Sequence, residues 1–467
     1  MTAAGREIVG ETLRILQADL DLRIVPHLEN SDALLAAKMI SDLLAYLAMW
    51  HLEFPERIAE HTAAKSALVA DRGAGESDFA SELPVEGADY GRLADALQRE
   101  IEEGVIADGG DLAAITKADF ALYSDEYLQL SQSVTTARDK LARVEVEVTP
   151  DKAQALVDAC LGLGHRVLSV ARVPGGFSKD SFFLDTRTGE GGEERFVIRR
   201  DLPFGPAETK VVEEYALLTR LAGRGLPIAE PMGCDATRIL GQAAMLSRRV
   251  PGNSGTAPWD SDTDMSRAIC TELAEVLARL HGVDPAESGL QMISRDPRKQ
   301  LHAYVLEWQD RWRRNRVHSS PTLAAAFSWL LNNIPAEIDR VAIVHGDVGF
   351  HNSIVCDGHL AALLDWEFAH LGDPTEDLGY CRPVIEQLMP WDDFLAVYRA
   401  AGGGDYRDEN ARFFEMWRSA RNAVCCAVSW RGFLSGAYPA LKMAYQGIPL
   451  YRNFVRNTAG ALQQKFK

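Results

Sequence analysis

Apolar residues recur at helical spacing through the first fifty positions. Ile8, Leu13, Ile15, Leu16 and Leu20 share one face, and Leu34, Leu35, Met39, Ile40, Leu43 and Leu47 share the next, which predicts two amphipathic helices over residues 7–50. Ser31 and Asp32 are available as caps for the second. Residues 70–88 have loop composition, and the helical pattern resumes at Tyr90–Glu103 and from Asp111 to about Arg143. Thr149-Pro150-Asp151 reads as a cap and first turn opening a helix over Lys152–Leu163. The period then shortens. Arg166–Arg172, Asp180–Thr186 and Arg195–Arg200 are β-type runs parted by glycine-rich turns, predicting a small antiparallel sheet. A helix over Ala207–Arg220 and a strand over Ala243–Val250 follow, and from Met265 the pattern is mainly helical.

The helical stretch is interrupted once, at 341–365. Val341–Val344 and Ser353–Val355 are apolar runs flanking a short polar loop, which reads as strand, loop, strand. Asp357-Gly358 is a two-residue hairpin signal, and Leu360–Leu364 returns as a strand ending at Asp365. One loop therefore presents Asp347 and Asn352, and an adjoining strand end presents Asp365. Hard oxygen ligands beside a further carboxylate suit Mg²⁺ with a phosphate and the orientation of a hydroxyl. The pattern points to phosphoryl transfer. Upstream, Gly175-Gly176-Phe177-Ser178 permits close backbone approach to phosphate and a nest of N–H groups. Alone, such a turn is equally an ordinary hairpin.

A chain of 467 residues exceeds one ordinary core, so two or three domains are expected. The net charge of −18 is uneven: the first 150 residues hold 13 basic and 28 acidic side chains. Residues 1–145 thus read as a separate, acidic, all-helical domain, a candidate for homodimer or partner contact. No basic face suggests nucleic acid. No apolar run reaches the roughly 18–20 residues of a membrane span, and Met1–Arg6 lacks a secretory apolar core, so a cytoplasmic location is expected. Seven cysteines without a CxxC suggest neither a disulfide framework nor zinc.

His345-Gly346-Asp347 with Asn352, then Leu364-Asp365-Trp366-Glu367, then Gly372-Asp373-Pro374 with Glu376-Asp377-Leu378-Gly379, form an ordered set. Together they resemble the aminoglycoside-phosphotransferase-like branch of the protein-kinase-like superfamily, over roughly residues 150–460. The run His370–Pro374 is similar to one in the kinase-like domains found beside acyl-CoA dehydrogenases. The resemblance implies an α+β, bilobal kinase-like fold after the helical domain, with a small lobe and hinge over 146–252 and a helical lobe over 253–467. It implies ATP and Mg²⁺ as cofactors, Asp347 as the catalytic aspartate, and Asn352 and Asp365 as metal ligands. Gly175, Gly176, Ser178, Arg199, Glu214, Ser247 and Arg249 would then line the nucleotide. Arg199 stands where most kinases have lysine, and guanidinium can fork onto two phosphate oxygens. Its helix partner is expected to be Glu214, with Glu213 as the alternative.

Other positions carry less. His345 is expected to pack and hydrogen-bond, and His351 to be an exposed loop histidine. Glu367 and Asp373 are candidates for a second ion or for loop bonding, and Asp377 for tying the loop to the helical lobe. Trp417 and Arg421 at helical spacing, with Trp430 and Arg431, could cradle an acceptor or be core and surface residues. The implied activity is phosphorylation of a hydroxyl on a small molecule or acyl derivative. A nucleotide-binding pseudokinase and an aminoglycoside-type antibiotic phosphotransferase are the alternatives.

Overall fold

The computed structural model describes residues 13–18, 20–21, 25–28, 31–52, 63, 87–106, 112–120, 148–173, 176, 178–207, 209–254, 263–435, 437–438 and 440–465. It divides into two compact units, one drawn from 1–145, 307–332 and 416–467, the other from 146–306 and 333–415. Among the described residues no helix is long and apolar enough to cross a membrane.

The first unit is helical. Ser31–Leu52 and Gly87–Glu102 are helices near the expected bounds. The face predicted for the former is partly wrong: Ile40 and Leu47 are exposed, while Ala37, Ser41 and Asp42 are buried. Ser41 Oγ donates to Asp21, and Lys38 Nζ lies 3.2 Å from Asp42, so polar pairing turns this face inward. The expected helix from Asp111 is present over 112–120, its remainder lying outside the described residues. Gly87–Glu102 packs against Pro321–Asn332. Its Gln98 Oε1 accepts the Ser320 N–H at 2.8 Å, Asp95 accepts Ser319 Oγ, and Asp119 accepts Thr322 Oγ1. Gly460 leaves room for the Phe120 ring, which a Cβ there would meet at 2.8 Å. Residues from the start and end of the chain thus share one core. Deleting residues 1–145 is expected to lower the melting temperature by about 10 °C or more, or to give insoluble protein. A truncated chain melting with the full-length one would contradict this.

The second unit is α+β, as expected. Five antiparallel strands, β1 (His165–Arg172), β2 (Lys179–Thr188), β3 (Glu193–Asp201), β4 (Pro231–Asp235) and β5 (Ala244–Arg248), form a sheet in the order β1-β2-β3-β5-β4. Alternation decides its faces: Phe182, Leu184, Phe196, Ile198, Ala244 and Leu246 bury against Leu156 and Val157 of the Pro150–Leu161 helix. Each such Phe or Leu contributes about 1.5–3 kcal/mol. Thr149 caps that helix, Oγ1 accepting the Lys152 N–H. The next helix starts at Val211 rather than Ala207, because Glu213 Oε2 accepts the Lys210 N–H and fixes its first turn there.

The 341–365 region needs a correction in its pairing. β7 (Ala342–Val344) does not return on the strand after the polar loop. It pairs antiparallel with β10 (His370–Gly372), while β8 (Ser353–Cys356) pairs with β9 (His359–Leu363) and with β6 (Asn253–Ser254). The Asp357-Gly358 hairpin is as read, with both residues at positive φ. All three β7 side chains are fully buried, which fixes the start of the polar loop in the core.

Candidate active site

The loop leaving β7 is held from behind by one carboxylate. Asp377, on the Thr375–Ile385 helix, accepts the His345 N–H on Oδ2 and the Gly346 N–H on Oδ1, each at 2.8 Å. His281 Nε2 lies 3.1 Å from Oδ2, and its Nδ1 lies 2.8 Å from the Tyr398 hydroxyl. Burial pushes Asp377 up, but the hydrogen bond and charge of His281 and the His345 N–H bring it below the usual carboxylate range. It is therefore a buried anion fully engaged by donors. Gly346, at φ 79°, takes the left-handed turn between this anchor and Asp347 that glycine accommodates without strain.

His345 works as a strut. Its Nδ1 accepts the Asp347 N–H at 3.3 Å, so Nε2 carries the proton and donates to the Leu364 carbonyl at 3.0 Å. Its ring packs on Trp366, centroids 4.6 Å apart. Asn352 Nδ2 donates to the Asp347 carbonyl at 3.0 Å and to Asp347 Oδ2 at 2.8 Å, while the Asn352 carbonyl accepts the Leu364 N–H at 2.7 Å. The loop bearing Asp347 and the strand end bearing Asp365 are thus bonded through both His345 and Asn352. Asp365 itself sits at φ 65°, a left-handed conformation that a non-glycine residue adopts at a cost of about 1–3 kcal/mol.

Across from it, Arg199 on β3 donates from Nη2 to Asp365 Oδ1 at 2.8 Å and to Glu214 Oε2 at 3.3 Å. Glu214 is buried on the Val211–Leu221 helix, so Glu214 rather than Glu213 is the partner. Burial works against the Arg199 charge, and Glu214, Asp365 and Glu367 more than offset it, leaving the guanidinium firmly protonated. Asp347, Asn352, Asp365, Arg199 and Glu214 therefore form one connected cluster.

Of the remaining predicted positions, Gly175 lies outside the described residues. Gly176 is at φ 78°, and a Cβ there would meet the Lys179 carbonyl at 3.0 Å. Ser178 is buried and hydrogen-bonds Glu367. Ser247 and Arg249 contact the sheet rather than the Asp347 cluster. Ser247 is buried in β5 between Val197 and Pro231, the Arg249 N–H donates to the Arg195 carbonyl, and its guanidinium lies 3.8 Å over the Phe183 ring. Trp417 and Arg421 are both fully buried in the helical unit, Trp417 edge-on to Trp308. An interior pair does not present an open cradle; the core reading holds for Trp417, while Arg421 is buried rather than at the surface.

Three residues gain roles that the motif alone did not give. Lys179, buried at the start of β2, lies 3.2 Å from Asp201 Oδ1 and 3.9 Å from Glu367 Oε2. Nothing in the strand pattern distinguishes it from a surface lysine; only its place next to Ser178 hints at it. Burial, then the Asp365 charge, raises Glu367 well above the usual range, with Lys179 and Arg199 opposing. His351 is exposed, as expected, with Nε2 3.8 Å from Asp347 Oδ2. Its ring lies where a Cβ on Gly349 would intrude at 2.7 Å, so that glycine admits it. Asp347 raises His351 above the usual imidazole range against partial burial.

Among the described residues no group of three or more His, Cys, Asp or Glu side chains could hold a metal alone. The donor set still fits Mg²⁺ with a phosphate ligand. Asn352 has committed its amide nitrogen to Asp347, leaving the hard amide oxygen to ligate, and Asp365 supplies a carboxylate.

The sequence profile of a phosphotransferase enzyme family, APH, matches residues 169–414. The chain belongs to this family. That family is one of phosphotransferase enzymes. Acyl-CoA dehydrogenase family member 11 of Gallus gallus is 30% identical over 262 residues, covering 53% of this chain and 32% of that relative. Homoserine kinase of Methylocella silvestris is 26% identical over 227 residues, covering 46% of this chain and 64% of that enzyme. The chain thus spans only a part of the curated relatives it matches first, 32% and 18% of their lengths. A crystal structure from Ralstonia eutropha, named for the aminoglycoside phosphotransferases, superposes with a TM-score of 0.51 at 20% identity, over 68% of this chain and 99% of that one. The APH phosphotransferase fold is shared across that length.

Proposed function

We propose that this APH-family protein transfers a phosphoryl group from ATP to a hydroxyl of a small molecule or acyl derivative. The observation that carries the reading is the direct bonding of Asp347 to Asn352 and of Asp365 to Arg199, in one cluster between two kinase-type motifs. In this reading Asp347 orients the acceptor hydroxyl and takes its proton. Asn352 and Asp365 hold Mg²⁺, which supplies the charge that neutralises the triphosphate. Arg199, aligned by Glu214, turns to the phosphates. Gly175, Gly176 and Ser178 cover them, and the strand end at Ser247–Arg249 abuts the adenine. The Arg248 and Arg249 N–H groups are already spent on Glu230 and Arg195 carbonyls, so a purine edge would be read beyond Arg249.

The similarity to acyl-CoA dehydrogenase family members favours a hydroxyacyl acceptor, and the similarity to homoserine kinase a small hydroxylated metabolite. Seven cysteines, none in a disulfide, suit a reducing, cytoplasmic setting. Coupled-assay ADP release against separate panels of hydroxyacyl compounds, small hydroxylated metabolites and cationic aminosugars tests this. Mg²⁺-dependent turnover with either of the first two panels is expected. Turnover only with aminosugars would identify an antibiotic phosphotransferase, and nucleotide binding without turnover a regulatory module.

A further inference from the structure

Lys179 is a buried cation that the catalytic reading leaves unused. Its Nζ donates to the Thr209 carbonyl at 2.5 Å and lies 3.2 Å from Asp201 Oδ1. Asp201 Oδ1 also accepts the N–H of Val211, the first residue of the helix that carries Glu214. On the other side Lys179 faces Glu367 Oε2 at 3.9 Å, an oxygen with no hydrogen-bond partner although the side chain is 6% exposed. Ser178 bonds the same carboxylate. Lys179 and Asp201 are register partners on β2 and β3, as are Ser181 and Arg199, so both basic residues lie on the paired strand ends.

These contacts close a ring. Asp365 is held by Arg199, Arg199 by Glu214, and the Glu214 helix by Asp201 at its first N–H. Asp201 is held by Lys179, and Lys179 faces Glu367, two residues from Asp365. Both arms meet on the segment carrying Asp365. A buried lysine with two carboxylates exceeds what packing a strand end requires, since burying a charge is costly unless paired. We infer that Lys179 is a positioning residue for phosphoryl transfer: acting through Glu367, it sets Asp365 in its ligating position and couples that residue to the Glu214 helix and the glycine-rich turn. Its amine is engaged by Thr209 and Asp201, so it acts through the protein and not as a phosphate ligand. The inference rests on Asp365 being the metal aspartate.

Calorimetric titration of the full chain with ADP, with and without Mg²⁺, separates the possibilities. In Lys179→Met and in Glu367→Gln, ADP affinity with Mg²⁺ is expected to fall about tenfold, with less than about twofold change without Mg²⁺. The double variant should lose only about tenfold in total rather than about a hundredfold, because both changes break one linkage. Lys179→Arg should restore most of the Mg²⁺-dependent affinity. If Lys179→Met fails to fold, Glu367→Gln carries the same readout. Equal losses with and without Mg²⁺, additive losses, or wild-type affinities would each overturn the positioning role while leaving the phosphotransferase reading intact. Absence of Mg²⁺-dependent ADP binding in the wild type would instead sink that reading, and this inference with it.

Discussion

Asp347→Asn should lower kcat by about 10³-fold, within the range for losing a positioned general base, while Mg²⁺·ADP affinity changes by less than about threefold. The separation follows from the bonding around the residue. Asn352 Nδ2 donates to Asp347 Oδ2 and to the Asp347 carbonyl, and the loop backbone is held by Asp377. An asparagine at 347 can turn its amide oxygen toward Asn352, so the loop keeps its shape and only the proton-accepting charge is lost. Steady-state turnover beside calorimetric ADP binding gives both numbers. Turnover within about tenfold of wild type would show that Asp347 is not the base.

The largest stability effect is expected at Asp377. Replacement by alanine strands the buried N–H groups of His345 and Gly346 and the partner nitrogen of His281. Breaking a buried ionic arrangement from one side costs about 3–5 kcal/mol, so a fall in melting temperature on the order of 10 °C is anticipated. The effect has a pH signature. Asp377 is depressed in the folded state, so its contribution is present above the unfolded carboxylate pKa and is lost as pH falls through the folded value. Wild type and Asp377→Ala should therefore differ fully at neutral pH and converge only in strong acid. A gap of under about 1 kcal/mol at pH 7 in chemical denaturation would refute the anchoring role.

The residues of the phosphoryl-transfer motif could be read from the chain because their chemistry depends on spacing: Asp347, Asn352 and Asp365 lie within one loop and one hairpin. Strand alternation likewise places β1, β2 and β3 within a few residues of their bounds. Pairing partners were harder. β7 and β10 are three residues each, too short for a period to show, and β7 pairs with a segment beyond the whole β8–β9 hairpin. Glu213 and Glu214 are neighbours in sequence, and only the helix start decides between them: the Lys210 cap turns Glu213 back to the first turn and leaves Glu214 facing Arg199. Lys179 was invisible because burial of a strand-end lysine depends on Asp201 and Glu367, 22 and 188 positions away. Trp417 and Arg421 have the spacing of a pair on one helix face, but both are buried, and spacing does not report that.

A crystal structure of the full chain with ADP and Mg²⁺ would place the nucleotide against these residues. The ion should be ligated by Asn352 Oδ1 and an Asp365 oxygen, with Arg199 within hydrogen-bond reach of a phosphate oxygen and the Asp347 carboxylate facing the open side of the terminal phosphate. Nucleotide bound elsewhere, or an ion that leaves Asn352 and Asp365 unliganded, would contradict the assignment of this cluster to phosphoryl transfer.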